Sequence, residues 1–147
     1  MEAVIALLEY IKKENEVKKD YLKSYGDAIR AEKAIEDEIK QLRLDKMCPS
    51  IVIDDMPHGV GGHSDLSSYV AKVDELLEEL RMSMDERIEL RREIIRKIES
   101  MSNETEKLVL RLRYIQMKTW DELAVQVGYS WQHVHKIHGK ALQHFEM

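Results

Sequence analysis

Gly128 divides the C-terminal part of the chain into two short helical patterns, because glycine enters the left-handed conformation without steric cost and so ends a helix. Thr119 offers a capping hydroxyl before the first pattern, and Asp121 and Glu122 occupy its first turn, where the helix dipole favours acids. Ser130 caps the second pattern. Four apolar residues then recur on one stripe: Val134, Ile137, Ala141 and Phe145. Two short helices joined by a tight turn form a helix-turn-helix.

Polar side chains occupy the face of the second helix opposite this stripe. At 3.6 residues per turn the face carries Gln132, Lys136, Gly139, Lys140 and Gln143, with His133 and His135 beside it. No acid occurs between Glu122 and Glu146, so the face offers neutral or positive groups to a phosphate backbone. Because the second helix of such a motif enters the DNA major groove, we predict DNA binding. The alternative is a solvated polar face on a helical hairpin.

The predicted DNA contacts lie at the start of each helix and on this face: Lys118, Thr119, Ser130, Trp131, Gln132, His133, His135, Lys136 and Lys140. Gln132 and Lys136 are expected to read base edges, and Lys140 to hold phosphate. Trp120 and Trp131 open the two helices, where tryptophan commonly fills a core. Trp131 is the better candidate for a DNA contact because it lies at the groove-facing end of its helix.

Four runs in this part of the chain have a familiar order: residues 106–114 (EKLVLRLRY), 118–124 (KTWDELA), 128–130 (GYS) and 140–142 (KAL). They resemble region 4 of sigma factors, which implies a helix, a helix-turn-helix and a terminal alanine-leucine pair. Sigma factors are rich in arginine at the start of the second helix, whereas Trp131, Gln132 and His133 stand here. Recognition of a promoter −35 element therefore does not carry over.

A second set of short runs extends over the rest of the chain: residues 21–22 (YL), 24–25 (SY), 47–50 (MCPS), 55–59 (DMPHG), 65–67 (DLS) and Tyr69. With them the whole chain resembles small phage and prophage proteins of Gram-positive bacteria, related to the ArpU and RinA type of late transcriptional regulator. This resemblance implies a phage-encoded regulator that acts on promoter DNA in the cytoplasm of the bacterial host.

Two long helical patterns precede the motif. The first runs from about residue 2 to residue 45, and a polar interruption at residues 15–20 predicts a break or hinge. The second begins at a cap, Ser64 or Asp65. Its apolar residues lie mostly three or four apart: Tyr69, Val73, Leu76, Leu80, Met84, Ile88, Ile95, Ile98 and Met101. So narrow a seam is typical of a helical hairpin or coiled coil.

Residues 47–64 contain both prolines and three of the six glycines, which predicts an exposed connecting loop. Cys48, His58 and His63 lie in this segment, but their spacing fits no zinc pattern and a fourth ligand is missing. No metal or other cofactor is therefore predicted. The single cysteine excludes an internal disulfide, and no signal peptide or membrane-spanning apolar run is present.

Charge is distributed unevenly along the chain, whose net charge is −5. Six basic residues against five acids follow residue 101, so the remainder is strongly acidic and points to a protein partner or a second copy rather than to DNA. Known catalytic motifs are absent, and His138, beside the apolar stripe, fits a packed core position better than a general base. An enzyme is not predicted.

The prediction is an all-α protein of two parts. Residues 1–101 form a long antiparallel helical hairpin or coiled coil for oligomerisation or partner binding, and residues 102–147 form the DNA-binding helix-turn-helix domain. The predicted function is sequence-specific regulation of phage late genes by a homodimer on double-stranded DNA, with host RNA polymerase as a further partner. The alternatives are a DNA-packaging or assembly protein of the small-terminase type and an adaptor that binds RNA polymerase.

Overall fold

The computed structural model describes residues 1–47 and 62–147. It contains five α-helices: α1 (Glu2–Met47), α2 (Gly62–Glu99), α3 (Glu104–Leu110), α4 (Trp120–Val127) and α5 (Trp131–His144). A π-helical turn, Arg111–Ile115, continues α3. No strand occurs in the described residues, and the prediction of an all-α fold is confirmed.

Helix α1 runs without interruption through residues 15–20, so the predicted break or hinge is wrong. Ion pairs span this polar stretch, with Glu14 at 3.5 Å from Lys18 and Glu16 at 3.6 Å from Lys19. Charges of opposite sign three or four residues apart favour a helix, and the stretch contains neither proline nor glycine. A loss of apolar periodicity is therefore compatible with a continuous helix.

The less exposed face of α2 differs in part from the predicted seam. This face carries the buried or half-buried residues Tyr69, Val73, Leu76, Leu80, Ser83, Arg87, Leu90, Ile94 and Ile98, followed by Met101 after the helix; Glu93, Ile95 and Lys97 beside it are also half-buried. Met84 and Ile88, which belong to the predicted seam, are 38% and 43% exposed in the single chain, so packing of these two residues against a partner stays a prediction.

The connection between the two long helices is shorter than predicted at both ends. Met47 still belongs to α1, and α2 begins at Gly62 rather than at Ser64 or Asp65. The remainder of the predicted loop, with Cys48 and His58, lies outside the described residues.

Contacts divide the chain into two compact units. Unit 1 comprises Met1–Ala28 and Arg87–Met147, and unit 2 comprises Ile29–Glu86. In unit 2 the two long helices run antiparallel. Lys46, near the end of α1, lies 5.6 Å from the centroid of the Tyr69 ring, near the start of α2. Ile39, which is earlier in α1, and Leu77, which is later in α2, line one cavity of about 400 Å³.

Unit 1 joins the first part of α1 to α2 and to the C-terminal helices. The Tyr21 hydroxyl donates to Glu93 Oε1 at 3.0 Å and accepts from Lys97 Nζ at 2.9 Å. The Tyr21 ring packs on Phe145, with the ring centroids 6.1 Å apart. Residues 102–147 thus share a compact unit with part of α1, and a functional boundary after residue 101 stays a prediction.

A small core holds the three C-terminal helices together. Val109, Leu112, Leu123 and Val134 are fully buried there, and Trp120 is one of the partly buried side chains packed on them. Burying an aliphatic side chain of this size stabilises a fold by about 1.5–3 kcal/mol. The core therefore fixes the position of α5 relative to α3 and α4.

Candidate nucleic-acid interface

A complete capping box begins α4. Thr119 has extended backbone angles, its hydroxyl oxygen accepts from the Glu122 N–H at 3.2 Å, and its own N–H donates to Glu122 Oε2 at 2.9 Å. This backbone hydrogen bond lowers the pKa of Glu122. The predicted cap is confirmed, and the start of α4 is held in one conformation.

The turn between α4 and α5 also has the predicted form. Gly128 adopts the left-handed conformation with φ of 76°, and its N–H donates to the Ala124 carbonyl at 3.0 Å. Ser130 then caps α5, its hydroxyl oxygen accepting from the His133 N–H at 3.2 Å. A side chain built on Gly128 would meet no heavy atom of the described residues within 4 Å, so glycine is needed here for its backbone angle.

One face of α5 is buried and the other is exposed, as the sequence predicts. The buried side chains are Val134, His138, Ala141 and Leu142. The exposed positions include Gln132, His133, Lys136, Lys140 and Gln143. Of the nine predicted DNA contacts, all are exposed except Lys118 and His135, which are half-buried. The predicted polar face of α5 is therefore open to a large ligand.

Gly139 lies within α5 beside this face. A Cβ built there would meet no heavy atom of the described residues within 4 Å. Close packing among those residues therefore does not explain a glycine inside a helix, where it costs about 1 kcal/mol relative to alanine.

Three aromatic rings and a guanidinium form a stack where α4 meets α5. The ring centroids of Trp120 and His135 are 4.2 Å apart, and those of His135 and Trp131 are 4.0 Å apart. The Arg113 guanidinium lies over the Trp120 ring, 4.5 Å from its centroid, and donates to the Lys118 carbonyl at 2.8 Å. The stack fixes the start of both helices, while Trp131 remains 52% exposed. Trp120 thus has a packing role, and Trp131 is accessible to a ligand.

The histidines of α5 differ in environment. His138 is buried, and burial lowers its pKa to about 4; burial also lowers the pKa of His135. The Tyr114 hydroxyl lies 2.7 Å from His138 Nε2, and because burial raises the pKa of Tyr114, the phenol keeps its proton and donates it. Burial disfavours the charged form of both rings, and Lys136 and Lys140 give the exposed face of α5 its permanent positive charges.

The contact between α1 and the end of α5 is not predicted by the sequence pattern. Lys18 Nζ donates to the Gln143 carbonyl at 3.2 Å, next to the packing of Tyr21 on Phe145. Lys18 is buried although it belongs to the polar stretch of α1. No periodic signal reports such a contact, because the two residues are separated by 125 positions in the chain.

The described part of the chain supports neither a metal site nor a membrane-spanning helix. It contains no group of three or more His, Cys, Asp or Glu residues arranged to hold a metal ion. None of its helices is long and apolar enough to cross a membrane.

Residues 103–145 match the family model described as Sigma-70, region 4. The match covers α3, α4 and α5, and it agrees with the capped turn and with the acid-free face of α5. Residues 103–145 are therefore a sigma region 4-like helix-turn-helix, which indicates a DNA-binding, regulator-like function. Comparisons with curated proteins and with solved structures found no match.

Proposed function

We propose that this protein is a sequence-specific regulator of transcription in which α5 enters the major groove of double-stranded DNA. The observation that carries the proposal is the exposed face of α5, where Gln132, Lys136 and Lys140 project from a rigidly capped helix-turn-helix. The family match over residues 103–145 supports the same function.

Different positions on α5 are assigned different tasks. Gln132 and Lys136 are four residues apart on one side of the N-terminal half, which is the part of a recognition helix that reaches base edges. Glutamine pairs bidentately with adenine, and lysine donates to guanine. Lys140 lies one turn later, where the helix approaches the phosphate backbone, and Lys118 and Thr119 serve the same purpose at the start of α4.

Gly139 supports this mode of approach. The open space around it lies beside the polar face, and a glycine there leaves room for a nucleic-acid backbone or base pair next to the helix. The loss of helix stability is then offset by closer contact with the duplex.

The biological setting follows from the resemblance to phage and prophage regulators of the ArpU and RinA type. We propose that the chain acts on late promoters in the bacterial host cytoplasm, as a homodimer held together by residues 1–101, and that host RNA polymerase is a further partner. Exposed apolar side chains on α2, among them Val70 and Leu77, support self-association. They would equally suit a DNA-packaging protein of the small-terminase type, which forms rings rather than dimers.

Selection of bound duplexes from random DNA with the full chain tests the proposal. We expect a recovered base motif, and replacement of Gln132 or Lys136 by alanine should cost about 1–3 kcal/mol on that motif and relax one base position. Lys140→Ala should weaken binding to all sequences alike. Lys72→Ala, at an exposed position of α2, is the control and should leave binding unchanged. Uniform weakening by all three α5 substitutions would rule out direct readout by this helix.

A further inference from the structure

Helix α1 borders the recognition helix α5 in unit 1. Two contacts define the border: the hydrogen bond from Lys18 Nζ to the Gln143 carbonyl, at 3.2 Å, and the packing of the Tyr21 ring on Phe145. Gln143 belongs to the exposed face of α5 that is proposed to meet DNA. The contact from Lys18 is to the backbone carbonyl of Gln143 in the last turn of α5, so α1 lies beside the C-terminal end of the helix, where a duplex that extends past this end would come near it.

Three lysines form a basic stripe on α1, which we define as Lys12, Lys19 and Lys23. At 3.6 residues per turn they lie within an arc of about 40°. Lys12 and Lys23 are exposed and Lys19 is half-buried. Tyr21 contacts α2 through Glu93 and Lys97. The buried side of α1 lies between Tyr21 and the basic stripe.

The charges of the basic stripe act on α5. Lys19 is one of the cations that lower the pKa of His135, and Lys19 and Lys23 both contribute to lowering the pKa of His138, after the larger effect of burial. These couplings agree with the hydrogen bond from Lys18, since Lys19 is its neighbour and Lys23 lies one turn further. Lys19 and Lys23 therefore lie near the side of α5 that carries these histidines, and Lys12 continues the same stripe along α1.

One acid of α1, Glu16, pairs with the stripe. Glu16 lies 3.6 Å from the ammonium group of Lys19, and its own side chain is largely exposed. Exposed pairs of this kind contribute about 0–1 kcal/mol, so a phosphate group can replace the carboxylate at little cost. Lysine also carries its charge on a flexible four-carbon stem, which suits a contact with phosphate rather than with a base.

We infer that Lys12, Lys19 and Lys23 bind the DNA phosphate backbone next to the groove entered by α5. This inference rests on the proposed function and extends the DNA interface into the first helix, a part of the chain otherwise assigned to protein contacts. Lys118, Lys136 and Lys140 are few phosphate contacts for one helix-turn-helix, and the basic stripe doubles the number of lysines available.

The salt dependence of binding by the full chain measures this contribution. Each neutralised phosphate adds about −0.9 to the slope of log K against log salt concentration. Replacing all three lysines of the stripe by glutamine should make the slope shallower by about 2–3 per bound chain and weaken binding at low salt. The recovered base motif should not change, because phosphate contacts carry no sequence information.

A matched triple replacement controls for net charge. Unit 2 has three exposed lysines that serve as this control: Lys33, Lys40 and Lys72. Changing them to glutamine removes the same number of positive charges as the stripe variant does. This control should keep the wild-type slope. An equal loss of slope in both triple variants would show a general charge effect and overturn the inference, as would an unchanged slope in the stripe variant.

Two further measurements keep the outcome interpretable. Lys23→Glu changes one exposed side chain, and it should weaken binding more than fivefold at low salt while the thermal unfolding midpoint stays unchanged. If selection with the wild-type chain recovers a base motif, but neither the triple replacement of the stripe nor Lys23→Glu weakens binding, the inference fails while the proposed function stands. Should the wild-type chain bind no DNA at any salt concentration, both fail.

Discussion

His138 is a titratable residue of the helix-turn-helix that is almost completely withdrawn from water. It is 6% exposed, accepts from the Tyr114 hydroxyl at 2.7 Å, and has its edge against the Trp120 ring, with centroids 4.8 Å apart. The neutral ring satisfies this arrangement, whereas an imidazolium could not accept at Nε2. Protonation and the packing of α5 on α3 therefore oppose each other.

Acid should consequently destabilise the protein through His138. Its pKa is depressed from 6.5 in the unfolded chain to about 4 in the folded one, so the unfolded state binds the proton first as the pH falls. The stability contributed by the neutral ring is fully present above pH 6.5 and is lost between pH 6.5 and about 4. The total loss corresponds to about 3 kcal/mol.

Urea unfolding at a series of pH values measures this loss. The control is His138→Gln, which retains an acceptor for the Tyr114 hydroxyl but cannot be protonated in this range. Carboxylates titrate in both proteins, so the difference between the two curves isolates the histidine. If the two proteins lost stability in parallel from pH 6.5 to pH 4.5, the buried histidine would not be the cause.

At the scale of the helices, features encoded within a few residues could be predicted from sequence. Thr119, Gly128 and Ser130 define the ends of α4 and α5 through contacts with residues at most four positions away, and all three have the expected geometry. The hydrogen bond between Lys18 and Gln143 could not be predicted, since it depends on how distant helices pack. The break predicted in the polar stretch of α1 is wrong because ion pairs, rather than apolar periodicity, support the helix there.

The two glycines of the helix-turn-helix differ in backbone conformation, and replacing each of them with alanine tests the consequence for stability. A Cβ at either Gly128 or Gly139 would meet no heavy atom of the described residues within 4 Å, but Gly128 alone of the two has a positive φ, of 76°. Gly128→Ala should destabilise the protein by about 1–2 kcal/mol. Gly139→Ala should stabilise it by about 0.5–1 kcal/mol and weaken DNA binding.

Thermal and urea unfolding of both variants, with DNA affinity measured in parallel, checks this pair. Opposite signs of the change in unfolding free energy are the expected result. A destabilising Gly139→Ala would mean that the glycine serves packing, and a stabilising Gly139→Ala that left affinity unchanged would remove Gly139 from the argument for groove binding.

At the scale of the whole molecule, the protein leaves an apolar stripe uncovered on α2. Leu66, Val70, Leu77 and Met84 are between 38% and 51% exposed. They lie within an arc of about 40° at 3.6 residues per turn, and three of them recur every seven residues. This is the spacing of a coiled-coil seam, and it is separate from the face that carries Leu76. An uncovered seam of this kind favours association with another helix.

We therefore expect the full chain to sediment as a dimer or larger at micromolar concentration. A double replacement, Val70→Glu with Leu77→Glu, should shift it to the monomer by opposing burial of the apolar stripe. Met82→Glu, at an apolar residue that is 60% exposed but lies off the stripe, is the matched control and should leave the assembly intact. A wild-type chain that is strictly monomeric would contradict self-association, and a ring-sized assembly would favour a packaging role.

The aromatic stack between α4 and α5 has a spectroscopic consequence. Trp120 and Trp131 are the two tryptophans of the whole sequence, and both lie in this stack. Tryptophan fluorescence, excited at wavelengths that tyrosine does not absorb, therefore observes the helix-turn-helix, whereas far-ultraviolet circular dichroism is dominated by the long helices α1 and α2. Without any label, the two signals compared during one denaturation would reveal whether the helix-turn-helix opens before the long helices. If α5 meets DNA as proposed, the half-exposed Trp131 would also report a bound duplex.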